Sequence, residues 1–495
     1  MSASEDRLEG TLKTMGLFAG PILGLTLYLW NPGGHPPDAR RLLGILVLAV
    51  CFWITEAIPL PATALLASAL AIVSGVAPAR AVLAPYADPV IFLFVGSFLL
   101  SEAFRKYGLD RRIAGVMMRS RRFGRTPGGL IAGFGLASAG ISTCLSNTAT
   151  AAVMTPIAVG AVRRAGDEPG VERASPFASG VLLMVAYGAS IGGMATLIGT
   201  PPNLLAAGFL ERLAGVRVGF TGWLGFGVPL ALVLLAISIV VTRRVLGQAA
   251  DAVRPDASSP VVESETTEDR AGRRWTISAF ALAGLLWTLP AIASALLGPG
   301  APPVKELTRL LPESAVALLC AALLFVAPVN WRARRFALTW TEGRQVNWGI
   351  ILLFGGGLSL GTLAESTGIA RWAGEGISGT ALASTPAGLL AVSVAAAIVI
   401  SEFASNTAAA TLLVPVVIAA AQASGFDPVR PALAVGLAAT CGFIFPVSTP
   451  PNAIVFGTGL VPLWRMIRVG ILLDLSSFFV IWLGMLALTP LLPLP

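Results

Sequence analysis

The sequence predicts an all-α polytopic membrane protein of about eleven transmembrane helices and two re-entrant hairpins, arranged as an inverted repeat. Three observations predict it. Of the 495 residues, 55% are hydrophobic and only 12% charged, with a mean hydropathy of +0.80; a soluble domain is nearer a quarter charged. Apolar runs of about 18 residues or more recur along the whole chain, each long enough to cross a bilayer. Two short polar motifs also occur twice, inside stretches that are otherwise apolar. They are Ser146-Asn147-Thr148 with Ser405-Asn406-Thr407, and Thr200-Pro201-Pro202-Asn203 with Thr449-Pro450-Pro451-Asn452. Breaks of this kind are costly in lipid unless they line a cavity or bind something.

In chain order, the first span covers about 12–30. No small-residue cleavage site follows it, so it reads as a mature helix. Spans 2 to 4 cover about 42–58, 61–76 and 90–104. The apolar stretch 128–162 has the first Ser-Asn-Thr near its middle and charges at both ends (Arg125; Arg163 and Arg164). A hairpin turning at the tripeptide fits it better than one span. Span 5, about 177–199, breaks at Thr200–Asn203 and resumes to Phe209; span 6 follows at 220–241. The polar, mixed-charge segment 247–274 reads as a linker between halves. Spans 7 to 9 cover about 275–297, 315–327 and 348–363. The second hairpin covers 386–421. Span 10, about 432–447, breaks at Thr449–Asn452 and resumes to 459, and span 11 covers 467–488.

The repeat can be checked residue by residue. Phe94, Gly96, Gly108 and Arg111 map onto Phe354, Gly356, Gly368 and Arg371 at an offset of 260. The tripeptides, and Pro156 with Pro415, are offset by 259; the Thr-Pro-Pro-Asn motifs are offset by 249. The expected units are therefore a tail and first helix (1–40), a first repeat (41–246), a linker (247–274) and a second repeat (275–495). Five full crossings per repeat give the halves opposite orientation, which places the site at the midplane between them. Basic residues concentrate in the loops 105–125, 163–173, 243–274, 332–344 and 465–468. These fall on one side, so the N-terminus is expected in the cytoplasm of a multi-pass protein of the cell (inner) membrane. The net charge of +8 is thus a topology signal and implies no nucleic-acid partner.

A hairpin tip offers carbonyls at the end of its first helix and N–H groups at the start of its second. The first attract cations and the second attract anions. Ser and Thr hydroxyls and the Asn carboxamide can both donate and accept. In Thr-Pro-Pro-Asn the prolines remove donors and stop the incoming helix. Neutral oxygens of this kind suit a hard cation such as sodium. Between Ser384 and Phe426 the only charged residue is Glu402, and none lies between Thr126 and Val162. An anion would therefore be held by hydroxyls, amides, helix N-termini and bound cations. Glu402 reads equally as a proton carrier or cation ligand and as an acceptor for backbone N–H. Asp88 reads as a helix cap, and Gly96 and Gly355–Gly357 as close-packing positions. The four cysteines lie in apolar runs without a CxxC pair, and the single histidine, His35, lies in a loop. Neither a zinc site nor a histidine relay fits, and no cofactor is expected. An intramembrane hydrolase using Ser146 or Ser405 would lack a base, because neither hairpin contains His or Lys.

These motifs, with Ser190-Ile191-Gly192-Gly193 and Ser401-Glu402-Phe403, resemble the divalent anion/sodium symporter family of sodium-coupled di- and tricarboxylate transporters. The resemblance runs from span 2 to span 11. It implies a homodimer working as an elevator, with scaffold helices in 41–126 and 275–383 and moving hairpins and transport helices in 127–246 and 384–495. It implies one sodium at Ser142, Ser146, Asn147 and the Gly199 carbonyl. A second would bind at Ser401, Ala404, Asn406, Ser448 and Pro450, partly through backbone carbonyls. Substrate carboxylates would meet Ser146, Asn147, Thr148, Thr200, Ser405, Asn406, Thr407 and Thr449. The implied function is sodium-coupled import of a C4 dicarboxylate such as succinate, malate or fumarate, with no enzymatic activity. Within the same fold the alternatives are a dicarboxylate exchanger, a tricarboxylate or sulfate carrier, and a proton-coupled anion carrier using Glu402.

Overall fold

A computed structural model describes residues 3–119, 126–164, 175–246, 266–298 and 300–488. Most of the predicted linker (247–265) and parts of two predicted basic loops (120–125 and 165–174) lie outside the described residues. In the first half the helices are α1 (Ala3–Trp30), α2 (Pro37–Thr55), α3 (Leu60–Val73), α4 (Ala79–Leu83), α5 (Pro89–Lys106) and α6 (Leu109–Arg119). The first hairpin follows as α7 (Pro127–Ser142) and α8 (Asn147–Arg164), then α9 (Pro176–Ala195), α10 (Pro201–Phe209) and α11 (Phe220–Leu246). The second half starts with α12 (Thr267–Leu297), α13 (Pro302–Leu310) and α14 (Glu313–Val326). A two-stranded antiparallel ribbon, β1 (Pro328–Asn330) and β2 (Arg335–Phe336), comes next. The chain continues with α15 (Trp340–Gly343), α16 (Trp348–Ser366) and α17 (Ile369–Ser378), and the second hairpin is α18 (Pro386–Phe403) with α19 (Asn406–Ala423). Last are α20 (Val429–Ala438), α21 (Pro450–Phe456) and α22 (Leu463–Leu488).

The helix starts follow from local chemistry. Five helices open on an Asp, Ser or Thr cap followed directly by proline, which has the helical φ and needs no partner for an N–H. Asp88 accepts from the Val90 amide, Thr126 from Gly129, Ser175 from Ala178, Thr385 from Gly388 and Thr449 from Asn452. Thr126-Pro127 and Thr385-Pro386 are the starts of the two hairpins, and Asp88 is the cap the sequence predicts. Gly108 (φ 60°) and Gly368 (φ 83°) adopt the left-handed conformation that ends α5 and precedes α17. The amphipathic helices α6 and α17 that follow these glycines were not expected.

Nine helices among the described residues are long and apolar enough to span a membrane, or ten if the bent pair α13–α14 forms one span. The predicted count was about eleven. The difference has identifiable sources: α3 has only 14 residues, and α2 carries Asp38, Arg40 and Arg41 in its first turns. Both arms of the second hairpin pass the length test, whereas α7 has 16 residues. Predicted span 10 requires a correction. Its helix α20 ends at Ala438, and residues 439–449 are irregular. Side chains satisfy that backbone in place of a helix: Glu402 accepts from the Ile444 and Phe445 amides, and Asn452 donates to the Gly442 and Phe445 carbonyls.

The centre of the fold is α9, which is buried along its length and packed by α7, α8, α11 and α21. Small residues allow this approach. A Cβ on Gly188 would lie 2.6 Å from the Gly135 carbonyl, and one on Gly192 would overlap the Ala139 backbone. Similarly, Gly96 of α5 admits Ala317 of α14, the close packing expected of it. By contrast α1, α12 and α22 expose rows of large apolar side chains, including Phe18, Ile22, Ile277, Leu296, Ile471 and Phe479. Such surface suits lipid.

Candidate functional site

Each predicted tripeptide begins the second arm of a hairpin, and the two tips share one bonding pattern. In the first, the Ser142 hydroxyl donates to the Asn147 side-chain oxygen at 2.8 Å. In the second, Ser401 donates to Asn406 at 2.9 Å, and the same hydroxyl is 2.7 Å from the Ala439 carbonyl. The spacing of five residues is equal because both hydroxyls sit at the end of the first arm and both amides open the second. Each bond fixes the carboxamide at the start of a helix whose N–H groups point into the tip.

The Thr-Pro-Pro-Asn breaks are matched as well. Asn203 donates to the carbonyls of Gly193 (3.0 Å) and Thr196 (2.8 Å). Asn452 donates to those of Gly442 (2.9 Å) and Phe445 (3.0 Å). Both asparagines are fully buried, and each closes its break by taking the carbonyls left free before the half-helix. Thr449 caps the Asn452 amide, whereas Thr200 makes no capping bond, although both threonines are buried.

The halves interlock crosswise. The returning arm α8 packs against the half-helix α21 of the other half, and α19 packs against α10. Of the predicted site residues, Ser142, Asn147, Gly199, Thr200, Ser401, Ala404, Thr407, Ser448 and Thr449 are buried. Ser146, Ser405 and Asn406 are half-buried, while Thr148 and Pro450 are exposed. Thr148 and Thr407 thus hold unequal environments despite their equivalent places in the sequence. Ser448 turns toward Glu402, donating to its carboxylate. Glu402 is the backbone acceptor that one of its two sequence readings anticipated.

Four contributors were not anticipated. The Ser101 hydroxyl of α5 donates to the Cys144 carbonyl (2.6 Å), and Thr196 donates to the Thr143 carbonyl (2.8 Å). Both satisfy carbonyls left free where α7 ends. Tyr187 of α9 donates to the Phe443 carbonyl (2.9 Å), joining the central helix to the irregular segment of the other half. Gly193 adjoins Asn147 so closely that no side chain fits between them. Only Gly193 carried a signal, since it falls in a quoted motif. The others are polar residues in apolar runs whose partners lie far away in sequence. Among the described residues no group of three or more His, Cys, Asp or Glu is placed to hold a metal ion. Apart from the Glu402 carboxylate beside Ser448, the oxygens gathered here are neutral hydroxyls, carboxamides and carbonyls, a donor set that suits a hard cation.

Paired hairpins, interrupted helices and apolar outer helices define an all-α polytopic membrane protein of the transporter class. The chain belongs to the family described as the sodium:sulfate symporter transmembrane region, whose sequence model matches residues 14–492. It is 31% identical over 499 residues to a sodium-dependent dicarboxylate transporter, SdcS, of Staphylococcus saprophyticus, covering 98% of this chain and 93% of the relative. It is also 31% identical over 477 residues to SdcS of Staphylococcus aureus (strain bovine RF122 / ET3-1), covering 94% and 89%. Its fold is similar to the YdaH transporter of Alcanivorax borkumensis, with a TM-score of 0.60 at 18% identity over 83% of this chain and 87% of that one. It is likewise similar to MtrF of Neisseria gonorrhoeae, with a TM-score of 0.55 at 13% identity over 86% and 85%. The protein is a transporter and not an enzyme.

Proposed function

We propose that the protein imports C4 dicarboxylates by sodium symport, and one observation carries the reading. The two hairpin tips and the two broken helices present the same Ser-to-Asn and Asn-to-carbonyl bonding twice, among hydroxyl, carboxamide and carbonyl oxygens and with no arginine in either hairpin arm between 126 and 162 or 384 and 426. Such a site binds a dianion weakly by itself, because hydroxyls, amides and helix N-termini supply only partial positive charge. Sodium bound beside it offsets the repulsion between carboxylates, so cation and anion each strengthen the other's binding. One sodium is assigned to Ser142, Ser146, Asn147 and the Gly199 carbonyl, and a second to Ser401, Ala404, Asn406, Ser448 and Pro450. The substrate carboxylates are assigned to Ser146, Asn147, Thr148, Thr200, Ser405, Asn406, Thr407 and Thr449. The names of the SdcS relatives support both the coupling ion and the substrate class.

In the same reading the halves form an inverted repeat, with the N-terminus and the basic loops in the cytoplasm. Residues 41–126 and 275–383 hold still, while 127–246 and 384–495 carry the site across as an elevator within a homodimer. Radiolabelled succinate uptake into proteoliposomes tests the reading, with and without an inward sodium gradient, with and without internal succinate, and with sulfate as competitor. Uptake should require the sodium gradient and proceed without internal dicarboxylate. Sodium-independent uptake that needs internal dicarboxylate would replace symport with exchange.

A further inference from the structure

Between α14 and α16 the β1–β2 ribbon and α15 form a platform at one end of the bundle, which the sodium and anion sites do not use. Backbone bonds hold it to α14: the Ala337 and Leu338 amides donate to the Ala327 (2.8 Å) and Leu324 (3.0 Å) carbonyls. Lys106 and Tyr107, where α5 ends, both donate to the Ala337 carbonyl. From α12, Trp275 donates to the Pro328 carbonyl (3.0 Å), and Glu268 accepts from Asn330 (2.7 Å). Asn330 also accepts from the Ala333 amide (3.0 Å), which closes the ribbon turn 331–334. The platform is thus fixed level with the ends of α5, α12 and α14.

Two kinds of exposed side chain share its outer surface. Trp275, Trp331 and Trp340 are 43%, 74% and 66% exposed. They stand where the apolar outer face of α14, made by Leu319, Leu323 and Val326, comes to an end. The Trp340 ring lies 6.1 Å from that of Phe325 in the last turn of that helix. Arg332, Arg334 and Arg344 belong to the same platform, all exposed and without a carboxylate partner among the described residues. The nearby acids are already engaged: Glu342 by Lys106, Glu268 by Arg335 and Asp269 by Thr266. Three uncompensated positive charges therefore stand beside a lipid-facing helix. Indole rings settle at the boundary between acyl chains and headgroups, and a guanidinium fork matches a phosphate through two parallel hydrogen bonds.

We propose that the platform binds anionic phospholipid headgroups, with Arg332, Arg334 and Arg344 on the phosphates and the three tryptophans at the acyl-chain boundary. The uncompensated charge selects an anionic lipid over a zwitterionic one, whose choline cancels the charge of its own phosphate. The platform is tied to α5, α12 and α14, so the lipid anchors these helices in the membrane. The proposal requires neither symport nor a particular transported anion.

A fluorophore on the ribbon turn tests it. With the four native cysteines replaced, full-length Ala333→Cys protein is labelled and placed in phosphatidylcholine nanodiscs. These contain an equal small fraction of either phosphatidylglycerol or phosphatidylcholine carrying a nitroxide quencher near the top of its acyl chain. The phosphatidylglycerol quencher should act at least about twofold more strongly, because each basic residue near the surface favours an anionic lipid several-fold. Raising salt to about 0.5 M should shrink the difference. Arg332→Gln/Arg334→Gln/Arg344→Gln in the labelled protein should abolish it. Arg80→Gln/Lys305→Gln/Arg371→Gln, which removes as many exposed charges elsewhere, should keep it. Equal quenching by the two lipids without these substitutions would overturn the proposal, whatever the variants do. So would a difference that survives the platform triple, or one that the control triple also loses, since net charge rather than the platform would then select the lipid.

Discussion

Gly193 lies so close to Asn147 that a methyl group on its Cα would overlap the Asn147 side-chain oxygen. That oxygen accepts the Ser142 hydroxyl, so the glycine of a central helix sets the position of a hairpin tip. Gly193→Ala should displace the carboxamide and break this bond. Apparent sodium affinity should fall about tenfold, the equivalent of about 1.4 kcal/mol for one buried hydrogen bond. Sodium-activation curves of succinate uptake check it, and an unchanged half-saturation would detach Gly193 from the site.

Asn147→Ala and Asn406→Ala should each abolish uptake while the protein remains folded, because each removes the carboxamide that its tip serine bonds and that the proposed sodium and anion sites need. Uptake with a size-exclusion profile checks both. An unaffected rate in either would remove that tripeptide from the site. Ser401→Ala should cost more stability than Ser142→Ala. Ser401 also reaches the Ala439 carbonyl, whereas the second contact of Ser142 is a 3.4 Å approach to Leu145. The expected difference is about 1 kcal/mol.

Much of this architecture is legible in the sequence. The apolar stretches 128–162 and 386–421 mark both hairpins, and the tripeptides mark both tips, because hydropathy and helix breaks are local signals. Span 10 was not legible. Its residues are as apolar as those of span 5, yet it stops at Ala438 because Glu402 and Asn452, distant in sequence or beyond the break, satisfy its backbone instead. Ser101 was missed for a similar reason: its meaning lies in a partner, the Cys144 carbonyl, that only the packing supplies. The unequal exposure of Thr148 and Thr407 also has no trace in two identical tripeptides.

Glu402→Ala should be strongly destabilising. It strands the half-buried Ile444 and Phe445 amides, at up to about 1–3 kcal/mol for each unsatisfied group. Glu402→Gln keeps one acceptor oxygen and should retain most of the stability. Thermal unfolding midpoints in detergent compare the two, and equal losses would show that the amides find other partners.

Glycines on α9 and on the adjoining hairpin arm α7 should differ sharply in tolerance. A Cβ on Gly192 would meet the Ala139 backbone, and backbone cannot rotate away. Gly192→Ala should therefore force α7 and α9 apart at a cost of about 1–3 kcal/mol. Gly140 has no atom within 4 Å of the equivalent position, so Gly140→Ala should be neutral or slightly stabilising in its helix. The ratio of folded yields, with unfolding midpoints, checks the contrast. Equal behaviour would mean that this helix contact is looser than its geometry.

Arg212 follows the half-helix α10 and spans to two elements assigned to the scaffold, donating to Thr362 of α16 (2.8 Å) and pairing with Asp88 at the start of α5 (3.4 Å). If 127–246 moves as a unit against 41–126, this contact must break in every cycle. Isolated pairs of this exposure contribute little, about 0–1 kcal/mol, so Arg212→Ala should change the rate only modestly. A covalent tie is a stronger test. With the four native cysteines replaced, an Asp88→Cys/Arg212→Cys protein joined by a short bismaleimide should lose uptake, and each single-cysteine protein treated alike should keep it. Full uptake by the cross-linked protein would mean that α10 and α5 hold still together, which the elevator reading does not allow.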